Sequence, residues 1–143
     1  LDTGAVVAPL PDLENYYIVV VKPNDGVSTK EAYDAVDSLE YMKHPKNEQM
    51  LEYFADSDFE NGLKLCSNVF EQAFDINGRV DIKDIMNKNG AIASCMTGSG
   101  SAVYGIFEKK ENAQASAKLL EKQFPNVYIC TPEKNGVEII SIN

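Results

Sequence analysis

Ala91-Ile92-Ala93-Ser94-Cys95-Met96 leads into Thr97-Gly98-Ser99-Gly100-Ser101, and Ala102-Val103-Tyr104-Gly105-Ile106-Phe107 leads out. The exit segment is rich in β-formers, so the glycine loop joins two strands. Two glycines alternating with hydroxyl residues expose backbone N–H groups with little side-chain obstruction, as a loop touching phosphate must. No helix opens after the loop and no Lys follows it directly, which excludes a Walker-type loop, and the glycine spacing departs from the dinucleotide-binding fingerprint. On these residues alone a tight glycine hairpin and a ligand cradle both stand, the hairpin being the simpler reading.

Upstream, Tyr16-Tyr17-Ile18-Val19-Val20-Val21 is an unbroken β-branched and aromatic run, placed as a buried central strand. Pro23 ends it, because proline cannot donate to a ladder, and Asn24-Asp25-Gly26 makes the turn. Ser28-Thr29-Lys30-Glu31 has the spacing of a capping box, in which Ser28 accepts from the amide of Glu31 and Glu31 reaches back. The helix it starts carries Ala32, Tyr33, Val36 and Leu39 on one face. Three more helices are expected over residues 47–54, 63–74 and 80–87, the last closed by Asn89-Gly90. Beyond the hairpin, residues 112–124 read as an amphipathic helix stopped by Pro125. Val127-Tyr128-Ile129-Cys130 is a strand, and residues 137–142 a further terminal one after the Lys134-Asn135-Gly136 turn. This order puts helices on one face of a mainly antiparallel sheet. The class is α+β, and β-α-β-β-α-β at its heart favours a ferredoxin-like arrangement with extra helices after the first strand.

At 143 residues the chain suggests one domain, long enough to bury a core without staples. No apolar run approaches the roughly 20 residues of a membrane span. Net charge is −9, from 22 acidic against 13 basic residues. Nine of the acidic residues fall between positions 30 and 60 against three lysines, as on a solvated helical face. A surface of that sign repels phosphate backbones and anionic lipid, so neither nucleic acid nor membrane is expected as a partner. Cys66, Cys95 and Cys130 form no CxxC pair and read as free thiols in a reducing cytosol. Cys95 abuts the glycine loop, but the sole histidine, His44, sits in a distant Lys-His-Pro turn, so no nucleophile–base pair is indicated. Residues 1–15, with Gly4, Pro9 and Pro11, read as a linker arriving from something upstream, leaving residues 16–143 as the domain.

Three segments, in order along the chain, resemble one family. Val21-Lys22-Pro23-Asn24-Asp25-Gly26-Val27-Ser28-Thr29-Lys30-Glu31-Ala32-Tyr33 is similar to the VKP-x-x-GVSTKEAY segment of the 4-diphosphocytidyl-2-C-methyl-D-erythritol kinases. Leu65-Cys66-Ser67-Asn68-Val69-Phe70-Glu71 resembles their N-x-x-E helix. Residues 96–107 resemble the third glycine-rich motif shared by GHMP kinases (galactokinase, homoserine, mevalonate and phosphomevalonate kinase). The resemblance implies the fold of a GHMP kinase C-terminal domain. For the whole enzyme it implies ATP-dependent phosphorylation of the erythritol 2-hydroxyl of a cytidine-diphosphate substrate, in the non-mevalonate isoprenoid pathway and in the bacterial cytoplasm.

The same resemblance implies an N-terminal half that is not in this chain, since nothing here resembles P-x-x-x-G-L-G-G-G-S-S. ATP, Mg²⁺ and the Asp and Lys of the reaction centre would belong to that half, and no cofactor is expected on this chain alone. With the family in view, Thr97, Gly98, Ser99, Gly100 and Ser101 are assigned to the ligand side. They would meet the substrate diphosphate or organise the phosphate-binding loop of the other half. Asn68 and Glu71 are read as holding neighbouring loops ahead of touching substrate, and Lys22-Pro23 through Gly26 as strand termination and helix capping ahead of lining the cleft. Two readings from other classes stay open: a non-catalytic ferredoxin-like small-molecule-binding or regulatory module, and a dimerisation domain. Fold alone does not choose among them.

Overall fold

The computed structural model describes residues 9–24 and 26–134; residues 1–8 of the expected linker, Asp25 of the turn and the terminal strand expected at 137–142 lie outside them. β-Branched residues put the first strand, β1, at Tyr17–Val21. It is followed by α1 (Thr29–Asp37), α2 (Asn47–Ala55), α3 (Phe59–Leu63), α4 (Phe70–Ala73) and α5 (Arg79–Lys88). The hairpin β2 (Ala93–Met96) and β3 (Val103–Phe107), then α6 (Lys110–Leu120) and β4 (Val127–Cys130), complete the order. The four strands form one sheet in the order β2-β3-β1-β4, antiparallel at every pairing. This is the ferredoxin-like α+β arrangement, with α1 to α4 added inside the first crossover.

Side chains of period two divide the sheet into two faces. Val19, Val21, Val103 and Phe107 pack against Ile82 and Met86 of α5 and Ala113, Ala117 and Leu120 of α6, all of them buried. Gly105 of β3 makes room for α5, because a Cβ there would lie 2.7 Å from Met86 Sδ. On the other face Ala93 and Ile106 meet Leu63, with Ile18, Phe54, Cys66 and Tyr104 only partly buried around them. β1 is therefore central in the sheet, as expected, but sealed on one face and half-buried on the other.

Helix boundaries follow local chemistry. α5 ends in a Schellman motif, in which the Ala91 amide donates to Met86 O and the Gly90 amide to Asn87 O, with Gly90 at φ +86°. The single helix expected over residues 63–74 is instead a break at residues 64–69, after α3 ends at Leu63, followed by the four residues of α4. Asn68 breaks it, because its Oδ1 accepts from the Phe70 amide and its Nδ2 is drawn to the hairpin. The capping box does not form either: Ser28 is the N-cap of α1 but makes no side-chain cap bond. α2 buries none of its residues fully and leans on α3 through Phe54 and Phe59, whose ring centroids are 5.7 Å apart. Among the described residues no helix is long and apolar enough to cross a membrane.

Candidate functional site

The register of the sheet decides where the glycine loop sits. Val21 at the end of β1 pairs with Val103 at the start of β3, and Met96 at the end of β2 pairs with the same residue. The C-terminal end of β1 and loop 97–101 therefore meet at one end of the sheet. The loop is a tight turn closed by Thr97 N–H to Ala102 O (2.9 Å) and Gly100 N–H to Thr97 O (3.0 Å).

Its two glycines do different work. Gly100, at φ +90°, is packed: a Cβ there would come within 2.6 Å of Ile76 Cδ1 and 2.9 Å of Met96 Sδ. Gly98, at φ +54°, faces open space, with nothing within 4 Å of a Cβ. The five loop residues divide in the same way. Ser101 is buried, and its hydroxyl accepts from Lys22 Nζ at 2.7 Å, while the same ammonium donates to Pro23 O at 3.1 Å. The Gly100 amide is spent inside the turn. Thr97 and Gly98 are exposed, and among the described residues the amides of Gly98 and Ser99 meet no protein acceptor.

Two side chains that the sequence reading leaves to local roles reach this loop. Lys22 brings a positive charge to Ser101 across 79 positions, and among the described residues it has no carboxylate partner. Thr29, in the first turn of α1, has its Oγ1 3.2 Å from Ser99 Oγ. The positive end of α1 thus lies against the loop. The open amides, the Ser99 and Thr97 hydroxyls, the ammonium and the helix terminus together make a surface of hydrogen-bond donors suited to an anion. The signal for Lys22 was available in the strand order: antiparallel pairing of the first strand with the second strand of the hairpin sets the residue after Val21 beside Ala102.

The loop is held from behind by the segment that parts α3 from α4. Asn68 Nδ2 donates to Met96 O (2.7 Å) and Gly98 O (2.8 Å). Glu71 accepts from the Met96 amide through Oε1 and from Lys83 Nζ through Oε2, each at 2.5 Å. Both residues act as loop supports, in keeping with their sequence reading. Burial, with the Glu71 carboxylate nearby, pushes the Cys95 thiol up to about 11. It stays protonated near neutral pH, which removes it as a nucleophile. Burial and the neighbouring thiols of Cys66 and Cys95 likewise push the Tyr104 phenol up, so it too is neutral.

Residues 46–126, more than half of the chain, match the family model described as GHMP kinases C terminal. The chain is 36% identical over 124 residues to a 4-diphosphocytidyl-2-C-methyl-D-erythritol kinase of Clostridioides difficile, covering 85% of this chain and 42% of that protein. To the kinase of the same name in Clostridium perfringens strain 13 it is 34% identical over 130 residues, covering 88% of this chain and 45% of the relative. It spans less than half the length of these curated relatives. Among solved structures it resembles a homoserine kinase from Cytophaga hutchinsonii, with a TM-score of 0.72 and 20% identity over 90% of this chain and 45% of that one. It also resembles a 4-(cytidine 5'-diphospho)-2C-methyl-D-erythritol kinase, with a TM-score of 0.60 and 24% identity over 85% of this chain and 43% of that one.

Proposed function

The chain belongs to the GHMP kinases through their C-terminal domain, and from that premise we propose that it is the substrate-side domain of an ATP-dependent kinase acting on 4-diphosphocytidyl-2-C-methyl-D-erythritol. In this reading the transferred phosphoryl group goes to the 2-hydroxyl of the erythritol moiety, and the enzyme works in the bacterial cytoplasm on the non-mevalonate route to isoprenoids. The observation that supports it best is the donor surface at loop 97–101, where Gly98 and Ser99 present open amides beside Lys22. The names of the relatives supply the substrate.

Phosphoryl transfer asks a protein for positioning and for stabilisation of charge on phosphoryl oxygens. This chain contributes the first. The Gly98 and Ser99 amides and the hydroxyls of Thr97 and Ser99 bind and orient the substrate diphosphate, and Lys22 adds positive charge at its flank. Asn68 and Glu71 keep the loop from moving under that load. Membership of this family assigns MgATP and the reaction-centre Asp and Lys to an N-terminal half of the enzyme, the chief partner of this domain.

The test is an assay of ATP consumption with the cytidine-diphosphate substrate in the two-domain enzyme that contains this chain. Gly98→Asp sets a negative charge against the diphosphate in open space, at a φ of +54° that costs a non-glycine residue about 1 kcal/mol and that Asp tolerates better than most. It is expected to lower kcat/KM by about 100-fold, while the backbone strain lowers stability by only about 1 kcal/mol, too little to unfold the enzyme. Unchanged kinetics would remove the loop from the ligand side, and turnover by this chain alone would overturn the assignment of ATP to another half.

A further inference from the structure

Away from the loop, the chain places its positive charge with unusual economy. A cavity of about 440 Å³ lies between the segment after α1, the break between α3 and α4, and α5. Lys43, Lys46, Lys64 and Lys83 all line it, in a protein whose net charge is −9. The one carboxylate in the lining is Glu71, so the wall carries four lysines against one acid, an excess of three positive charges. Glu71 is already spent on Lys83 and the Met96 amide, and the partner of Lys64, Glu60, lies outside the lining at an exposed i,i+4 position. Among the described residues Lys43 and Lys46 have no carboxylate partner.

Held-together like charges in an acidic protein raise the local potential unless an anion answers them. Two features fix the backbone from which Lys43 and Lys46 reach this wall. Gln72 clamps the Lys43 backbone from both sides: its Oε1 accepts from the Lys43 amide at 3.0 Å and its Nε2 donates to Lys43 O at 2.9 Å. Lys46 is the N-cap of the nine-residue α2 and leaves its first-turn amides without a side-chain cap, so the positive end of a helix lies on the same wall, with Glu48 of that turn outside the lining. We propose that this cavity is a binding site for a small multivalent anion, bearing adjacent phosphates or several carboxylates, separate from the glycine loop. The volume suits a compact metabolite. The floor of the site, Asn68 and Glu71, is the same pair that holds Met96 and Gly98. An anion drawing on Lys83 therefore competes with Glu71 for its cation, which couples the site to the carboxylate that accepts from the Met96 amide.

The experiment is an NMR titration of the chain with inorganic pyrophosphate and with citrate, each against sodium chloride at matched ionic strength. Saturable shifts at the amides of Glu71, Gln72 and Met96 with either probe support the site, and the ratio of the two affinities distinguishes a phosphate from a carboxylate ligand. The pair Lys43→Gln and Lys46→Gln is expected to weaken binding by about tenfold or more. The control pair Lys110→Gln and Lys118→Gln, on α6, leaves it within about twofold. Shifts that rise linearly and match those of chloride overturn the proposal, as does an equal loss in both lysine pairs. The site does not depend on the kinase reading. Gly98→Asp, the variant that tests that reading, is expected to bind pyrophosphate here as the parent does.

Discussion

On the side of the sheet covered by α5 and α6, Val19, Val21, Val103 and Phe107 are closed off from water by Ile82, Met86 and Leu120. On the opposite side Ile18, Val20 and Tyr104 are only half-buried, and thiols and a phenol are mixed among the aliphatic groups. The first side is an aliphatic and aromatic seal whose work is stability. The second side, with the sheet end beside it, carries the polar network that fixes the glycine loop. The seal sets the platform and the network sets the loop, a division that suits the role proposed for residues 97–101.

The sharpest way to break that contrast is at its most buried ring. Phe107→Ala is expected to destabilise the chain by about 3–5 kcal/mol in urea unfolding, whereas Tyr104→Phe, on the open side, costs about 1 kcal/mol. Equal losses would mean that both faces share the load. Next in size are the loop supports. Glu71→Ala leaves the Met96 amide and Lys83 without their acceptor and is expected to cost about 2–3 kcal/mol. Asn68→Ala costs about 1–2 kcal/mol, and both variants should speed amide exchange in residues 96–98 while β1 and β3 stay protected. A smaller effect concerns pH. Cys95 titrates near 9 in the unfolded chain and at about 11 in the fold, so the unfolded state sheds its proton first. The stability it contributes is complete below pH 9 and is lost as pH rises toward 11. The melting temperature measured across that window should fall less steeply in Cys95→Ala than in the parent. Least of all, Leu51→Ala on the exposed side of α2 should change stability by no more than about 0.5 kcal/mol, since Leu51 is half exposed.

How much of this was legible in the sequence depended on how far apart the partners lie. Residues 16–21, the hairpin around Thr97 to Ser101, and the helix before Pro125 were readable because period and propensity are local, and strand order followed from the α+β pattern. The helix expected over residues 63–74 was misjudged because Asn68 takes its partners 28 and 30 residues away, at Met96 and Gly98. No window of local periodicity contains them. The contact of Thr29 with Ser99, 70 residues on, was out of local reach in the same way. In the candidate site, the glycines announced an open loop, but equal residue types hid unequal jobs. Only packing separates Gly100, wedged against Ile76 and Met96, from Gly98, which faces solvent.

Glu71 and Asn68 have one more consequence, at the margin of the sheet. Among the described residues β2 is an outermost strand, and the N–H and C=O of Met96 turn away from β3, where a second chain could dock by adding a strand. Glu71 takes that amide and Asn68 takes that carbonyl, so two side chains stand in for the missing neighbour. The bonds that steady the loop therefore also close the exposed end of an edge strand to templated pairing. They guard the chain against aggregation at the very place where its backbone would otherwise invite it.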